Sequence, residues 1–145
     1  MATVSSSAAQ NGVCVQAVHA GVNFAFAAYN SGGNKTPFSG SVSDAIVMLN
    51  MPRNAKIIQA WIGGWSDDGN FGFSLGDPGS TTRYGGPLSI SGTAIAKSIF
   101  TNGAEGFVYS ISDDQTTWPL TLNLQNATSV SGSISVHVGV IWKKV

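Results

Sequence analysis

The closing run Ile134-Ser135-Val136-His137-Val138-Gly139-Val140-Ile141-Trp142 alternates large apolar residues with smaller or polar ones. Successive side chains of a strand point to opposite sides of a sheet, so Ile134, Val136, Val138, Val140 and Trp142 share one buried face. Leu120, Leu122 and Leu124 repeat the pattern just upstream. No window repeats apolar residues at helical spacing over two or three turns, and Gly and Ser interrupt every long stretch. The chain is therefore read as all-β, with little or no helix.

Working outward, the same rhythm recurs: a run of β-branched or aromatic residues, then a break of Gly, Asn, Asp, Ser or Pro. It marks strands at residues 13–18, 22–28, 45–50, 56–66, 71–75, 95–101, 107–112, 120–124 and 134–142. About eight to nine short antiparallel strands in one domain pack most economically as two sheets, an antiparallel β-sandwich that is jelly-roll-like in form. Asp68-Gly69 between two apolar runs is a tight-turn signal, so residues 56–75 read as one hairpin. Residues 76–87 read as the longest polar connection. Residues 1–12 are small and polar without periodicity and read as a flexible N-terminal arm, leaving 13–145 as a single sandwich domain.

Composition narrows the function classes. With 145 residues there is room for one ordinary domain, and 43% hydrophobic residues supply a core. A chain of this size buries roughly 68–70% of its unfolded surface. Seven Lys and Arg balance seven Asp and Glu, so no electrostatic footprint points to nucleic acid or to an anionic membrane. Zero net charge also removes one defence against self-association. Cys14 stands alone and forms no internal disulfide. The N-terminus lacks the basic and apolar regions of a secretory signal, and no apolar run approaches the roughly 18 residues of a membrane span. These features lead to the expectation of a soluble protein made in a cytoplasm.

Catalytic chemistry finds little support. His19 and His137 are the two imidazoles, and His137 falls on the wetter side of the closing strand. Cys14 alternates with Val13 and Val15 as a small strand hydrophobe. Asp67, Asp68 and Asp77, and separately Asp113 and Asp114, lie in expected turns without EF-hand spacing, so turn chemistry accounts for them. No catalytic residue, metal site or cofactor is assigned, and the expectation is that the protein is not an enzyme.

Recognition has better candidates. Trp61 and Trp65 lie four apart on one expected strand and so share a face, and Trp118 precedes Pro119 at the mouth of another. Exposed indoles stack on sugar rings, whereas buried ones fill cores and subunit interfaces. Ile58, Ala60, Ile62 and Gly64 make the other side of the same strand apolar too. A strand apolar on both sides is covered twice, by a core and by something else, for which another subunit is one candidate.

The stretch Met51-Pro52-Arg53-Asn54-Ala55-Lys56-Ile57-Ile58, followed by Phe73-Ser74-Leu75-Gly76-Asp77 and Thr82-Arg83-Tyr84, resembles the capsid decoration, or cement, proteins of tailed bacteriophages. There a proline-led turn enters a long strand, and a Gly-Asp strand end precedes a polar loop closing on Arg and an aromatic. On physical grounds alone, Gly76 permits the turn, Asp77 can cap loop amides, and Arg83 is near enough in sequence to pair with Asp77. The resemblance covers residues 51–86, with support from the closing strand. It implies a jelly-roll-like virion protein without catalysis, forming homotrimers, that binds the major capsid protein on the outer surface of an icosahedral head and stabilises the expanded lattice. The contact residues it points to are Val4, Ser5, Val13 and Val15, in the arm and the strand after it, together with Trp61 and Trp65. Deleting the arm is expected to weaken capsid binding and to leave the fold intact. The alternative is a receptor- or carbohydrate-binding sandwich, such as a tail-fibre head, carried by Trp61, Trp65 and Trp118.

Overall fold

The computed structural model describes residues 3–6, 16–17, 22–30, 44–66, 70–100, 108–110, 114–127 and 134–145, among which there is no helix. These form ten strands: β1 (Thr3–Ser5), β2 (Gln16–Ala17), β3 (Val22–Asn30), β4 (Ala45–Pro52), β5 (Ala55–Ser66), β6 (Phe71–Asp77), β7 (Ser80–Ile90), β8 (Ile95–Ser98), β9 (Thr117–Ala127) and β10 (Ile134–Lys144). They make two five-stranded sheets, the first ordered β1-β4-β9-β6-β7 and the second β2-β3-β10-β5-β8.

The pairing is nested. Strand β6 pairs with β7, β5 with β8, β4 with β9 and β3 with β10, all antiparallel, as if one long hairpin had been rolled into two layers. Antiparallel pairs β10–β5 and β6–β9 close each sheet across the middle. This is the wrapped double Greek key of a jelly roll, and it sets the strand order that periodicity leaves open. Two short strands extend its edges: β2 pairs with β3, and β1 adds to β4 in the parallel sense.

The core lies between the sheets and draws on alternate residues of each long strand. Ile134, Val136, Val138, Val140 and Trp142 of β10 face Leu120, Leu122 and Leu124 of β9, with Ile57 and Ile62 of β5 and Phe71, Phe73 and Leu75 of β6 beside them. The period-two pattern of the closing strands thus gives the buried face it predicts.

Several elements differ from the sequence reading. Residues 56–75 do not form a hairpin, because β5 and β6 lie in opposite sheets and do not pair. Most of the expected polar connection at 76–87 is strand β7, in which Gly85 takes φ 129° and bridges to Phe100. A Cβ at Gly85 would lie 1.6 Å from the Ile99 carbonyl oxygen, so the two backbones approach only because that residue is glycine. Of the strand expected at 107–112, residues 108–110 are described and are not extended into a sheet.

The start of the chain also departs from a free arm. Thr3–Ser5 is a sheet strand and Val4 is 3% exposed, packed in the core. Ser6 donates its amide to the Val47 carbonyl and its hydroxyl to that of Met48. Small polar composition concealed this, because three residues added to an existing edge need no periodicity of their own.

Candidate functional site

The two sheets present unlike outer faces. Across the second sheet, register places residues in rows running from β3 through β10 to β5. Val22, Lys143 and Lys56 form the row at one end, and Phe26, Gly139 and Trp61 occupy the middle. Ala28, His137 and Gly63 come next, then Asn30, Ser135 and Trp65. Phe24 at 40% exposure, Phe26 at 55%, Ile58 at 40% and Trp65 at 41% are large hydrophobics left open to solvent on this one face. Contiguous exposed apolar surface of this kind marks an interaction site.

Its relief follows from two glycines. Gly139 leaves a hollow, and Phe24, Phe26, Trp61 and His137 surround it to form a depression of about 290 Å³. Gly63 leaves a second, into which the His137 ring leans: a Cβ at Gly63 would fall 2.2 Å from Nε2 and 2.6 Å from the Ile95 carbonyl oxygen. Phe26 covers the imidazole from the other side, ring centroids 5.6 Å apart. Burial among these groups lowers the His137 pKa from its ordinary value, since desolvation penalises the charged ring. Trp65 is fixed at the far end by its indole N–H, which donates to the Gly92 carbonyl at 2.9 Å.

The first sheet covers its own outer side. The β6–β7 tip folds back over β9, where Asn123 Nδ2 donates to the Thr81 carbonyl at 3.1 Å. Ser74 Oγ donates to the same carbonyl at 2.8 Å and accepts from Gln125 Nε2 at 2.8 Å. What remains there is a depression of about 450 Å³ whose lining mixes apolar groups, among them Val47, Pro78 and Pro119, with polar ones such as Thr121 and Asn123.

Asp77 holds that tip. Its Oδ1 accepts from the amides of Gly79 and Ser80 at 2.9 and 3.0 Å, while Oδ2 accepts from Arg83 Nε at 2.6 Å and the Tyr84 hydroxyl at 3.0 Å. The capping of loop amides and the pairing with Arg83 expected from sequence are both present. Burial, and then the neighbouring Asp77 charge, push the Tyr84 phenol well above its ordinary pKa, so it stays a donor. Every group in this cluster bonds within it, as a structural latch does.

The residues singled out from sequence divide. Trp61 and Trp65 do share the open outer face, Trp61 half-buried among aromatic rings. Val4 is removed from any contact surface by its burial, because its side chain fills the core beneath β4. Ser5 is half-buried beside Val47. Val13 and Val15 lie outside the described residues, as do Cys14, His19, Asp67, Asp68 and Asp113.

Two aromatic and apolar assignments change. Trp118 is 1% exposed and stacks on Tyr84, ring centroids 6.2 Å apart, with Tyr109 at 5.5 Å, so it is a core residue and offers no stacking platform. Ile58 points outward because β5 carries one extra residue against β10: Trp142 faces Ile57 and Ile141 faces Gln59. This bulge moves Ile57 into the core in place of Ile58. Phe24 and Phe26 were not singled out from sequence, although their alternation with Ala25 and Ala27 carried the signal. Among the described residues no three His, Cys, Asp or Glu side chains gather as a metal site would require.

No protein-family model matches the chain, and no curated protein matches it. Among solved structures, a chain of the cyanophage Pam1 capsid asymmetric unit is similar, with a TM-score of 0.52 at 16% identity, over 86% of this chain and 85% of that one. At that identity the likeness is one of fold, the two-layer wrapping described above.

Proposed function

We propose that this protein is a structural component of a tailed-phage virion, a decoration or cement protein that binds the outer surface of the icosahedral head. The observation that carries the reading is the fold shared with a chain of a cyanophage capsid along nearly the whole length of both. The Pro52-led turn into β5 and the Asp77 latch fit the same reading, because they are the features through which the sequence resembles cement proteins. The work is done by surface and not by catalysis. A protein that binds only the expanded lattice stabilises it by mass action, and many copies around the shell add their weak contacts. Assembly as a homotrimer belongs to the proposal and accords with zero net charge.

Adding the purified protein to particles assembled without it tests the reading. The expected result is saturable binding and a higher temperature for release of packaged DNA. Particles that neither bind it nor gain heat resistance would overturn the proposal.

The exposed Trp65 and the ring-lined depression favour one second reading, a glycan-binding head in which these side chains stack on sugar rings. Binding on a glycan array that Trp65→Ala abolishes without unfolding would put that reading first.

A further inference from the structure

The open outer face of the second sheet carries, besides its aromatic rings, an unusual pair. Lys56 and Lys143 are directly opposite neighbours on β5 and β10, and both project on the outer side, next to Ile58 and Ile141. Like charges directly across a strand pair are destabilising. Neither lysine has an ion-pair partner among the described residues. The described side-chain carboxylates lie elsewhere: Asp44 is fully buried, Asp77 is held in the latch of the first sheet, and Asp114 precedes β9. The face is therefore apolar at its centre and cationic at one end.

That combination selects the occupant. A second copy presenting this same face would bring lysines and, among the described residues, no side-chain carboxylate to compensate them, and would leave the Lys56–Lys143 repulsion unrelieved. A surface that is apolar and carries carboxylates matches on both counts, filling the Gly139 hollow and neutralising the pair. We propose that this face docks on such an apolar, acidic surface of a different protein, with Phe24, Phe26 and Trp61 making the apolar contact and Lys56 and Lys143 engaging carboxylates. Resting on the virion reading above, that protein is a subunit of the shell.

Binding to particles assembled without the protein, measured at low and high salt, tests this with the full chain. The charge-reversed double variant Lys56→Glu/Lys143→Glu is expected to lose at least about tenfold in affinity at low salt and to show a flatter salt dependence than the wild type. Phe26→Ser should lose affinity at both salt concentrations, and Lys97→Glu, on the β8 edge opposite inward-facing Ile62, should bind as the wild type. Circular dichroism confirms that each variant is folded. If the wild type binds and the double variant binds equally well at both salts, the docking face is wrong while the virion reading stands. If the wild type itself fails to bind, the virion reading falls and takes this assignment with it. Should the double variant instead change only the sedimentation of the free protein, the occupant is a second copy and the proposal is overturned.

Discussion

Replacing Asp77 by Ala removes one side chain and orphans four donors at once. The carboxylate is buried, with 2% of the residue exposed, and its loss leaves the buried Tyr84 hydroxyl unpaired, which costs about 1–3 kcal/mol. Arg83, with 24% of its side chain exposed, can turn to water, so its ion pair contributes about 1 kcal/mol or less. The amides of Gly79 and Ser80 sit at a tip open to solvent and rehydrate, at about 0.5 kcal/mol each. The whole change is about 3 kcal/mol, or about 6–12 °C in Tm for a domain of this size. Thermal unfolding followed by circular dichroism measures it, with Arg83→Ala as the companion variant expected to lose about 1 kcal/mol or less. If Asp77→Ala unfolds within about 2 °C of the wild type, or if Arg83→Ala costs more than Asp77→Ala, the latch does not hold the tip as described.

Other expectations follow from burial and charge. Tyr84 has a raised pKa in the fold, so the unfolded chain loses its phenolic proton first, near the ordinary value of about 10. Its contribution is complete below that pH and is lost as pH rises above it; Tyr84→Phe should flatten urea stability measured across this range. His137 has the opposite sense, a lowered pKa, so stability is complete above the ordinary value of about 6.5 and declines as pH falls below it. His137→Gln should reduce that acid sensitivity in the same assay. Val4→Ala deletes two buried methyl groups and should cost about 2 kcal/mol in a denaturant titration, whereas a free arm would show no change. Gly85→Ala places a Cβ against the Ile99 carbonyl at a positive φ and should destabilise by about 2 kcal/mol or more, seen as a lower Tm.

The sandwich was legible because its longest strands keep a strict period of two, and β9 and β10 could be read residue by residue. The Asp77 latch was legible for a different reason: an acid, a glycine turn, an arginine and an aromatic within eight positions have few ways to avoid one another. Strand β7 is hard to read from sequence because seven of its eleven residues are Ser, Thr, Gly or Pro, and its place is fixed by pairing with β6. The supposed hairpin at 56–75 fails because a turn signal shows that the chain reverses but not which strand it then pairs with. The bulge in β5 shifted Ile58 outward, since one extra residue inverts a two-residue period. The open face was half visible: Trp61 and Trp65 announced it, but its extent depends on Phe24, Phe26 and His137 arriving from other strands in register, which is a property of the wrapping.

The central claim is that the protein belongs to the shell of a virus particle, and counting it there tests this most directly. Quantitative mass spectrometry of purified particles gives its copy number relative to the major capsid protein. A copy number comparable to that of the capsid protein is the predicted result, as expected of a protein that decorates the lattice. A handful of copies per particle would place it at a tail or vertex, and absence from particles would contradict the account.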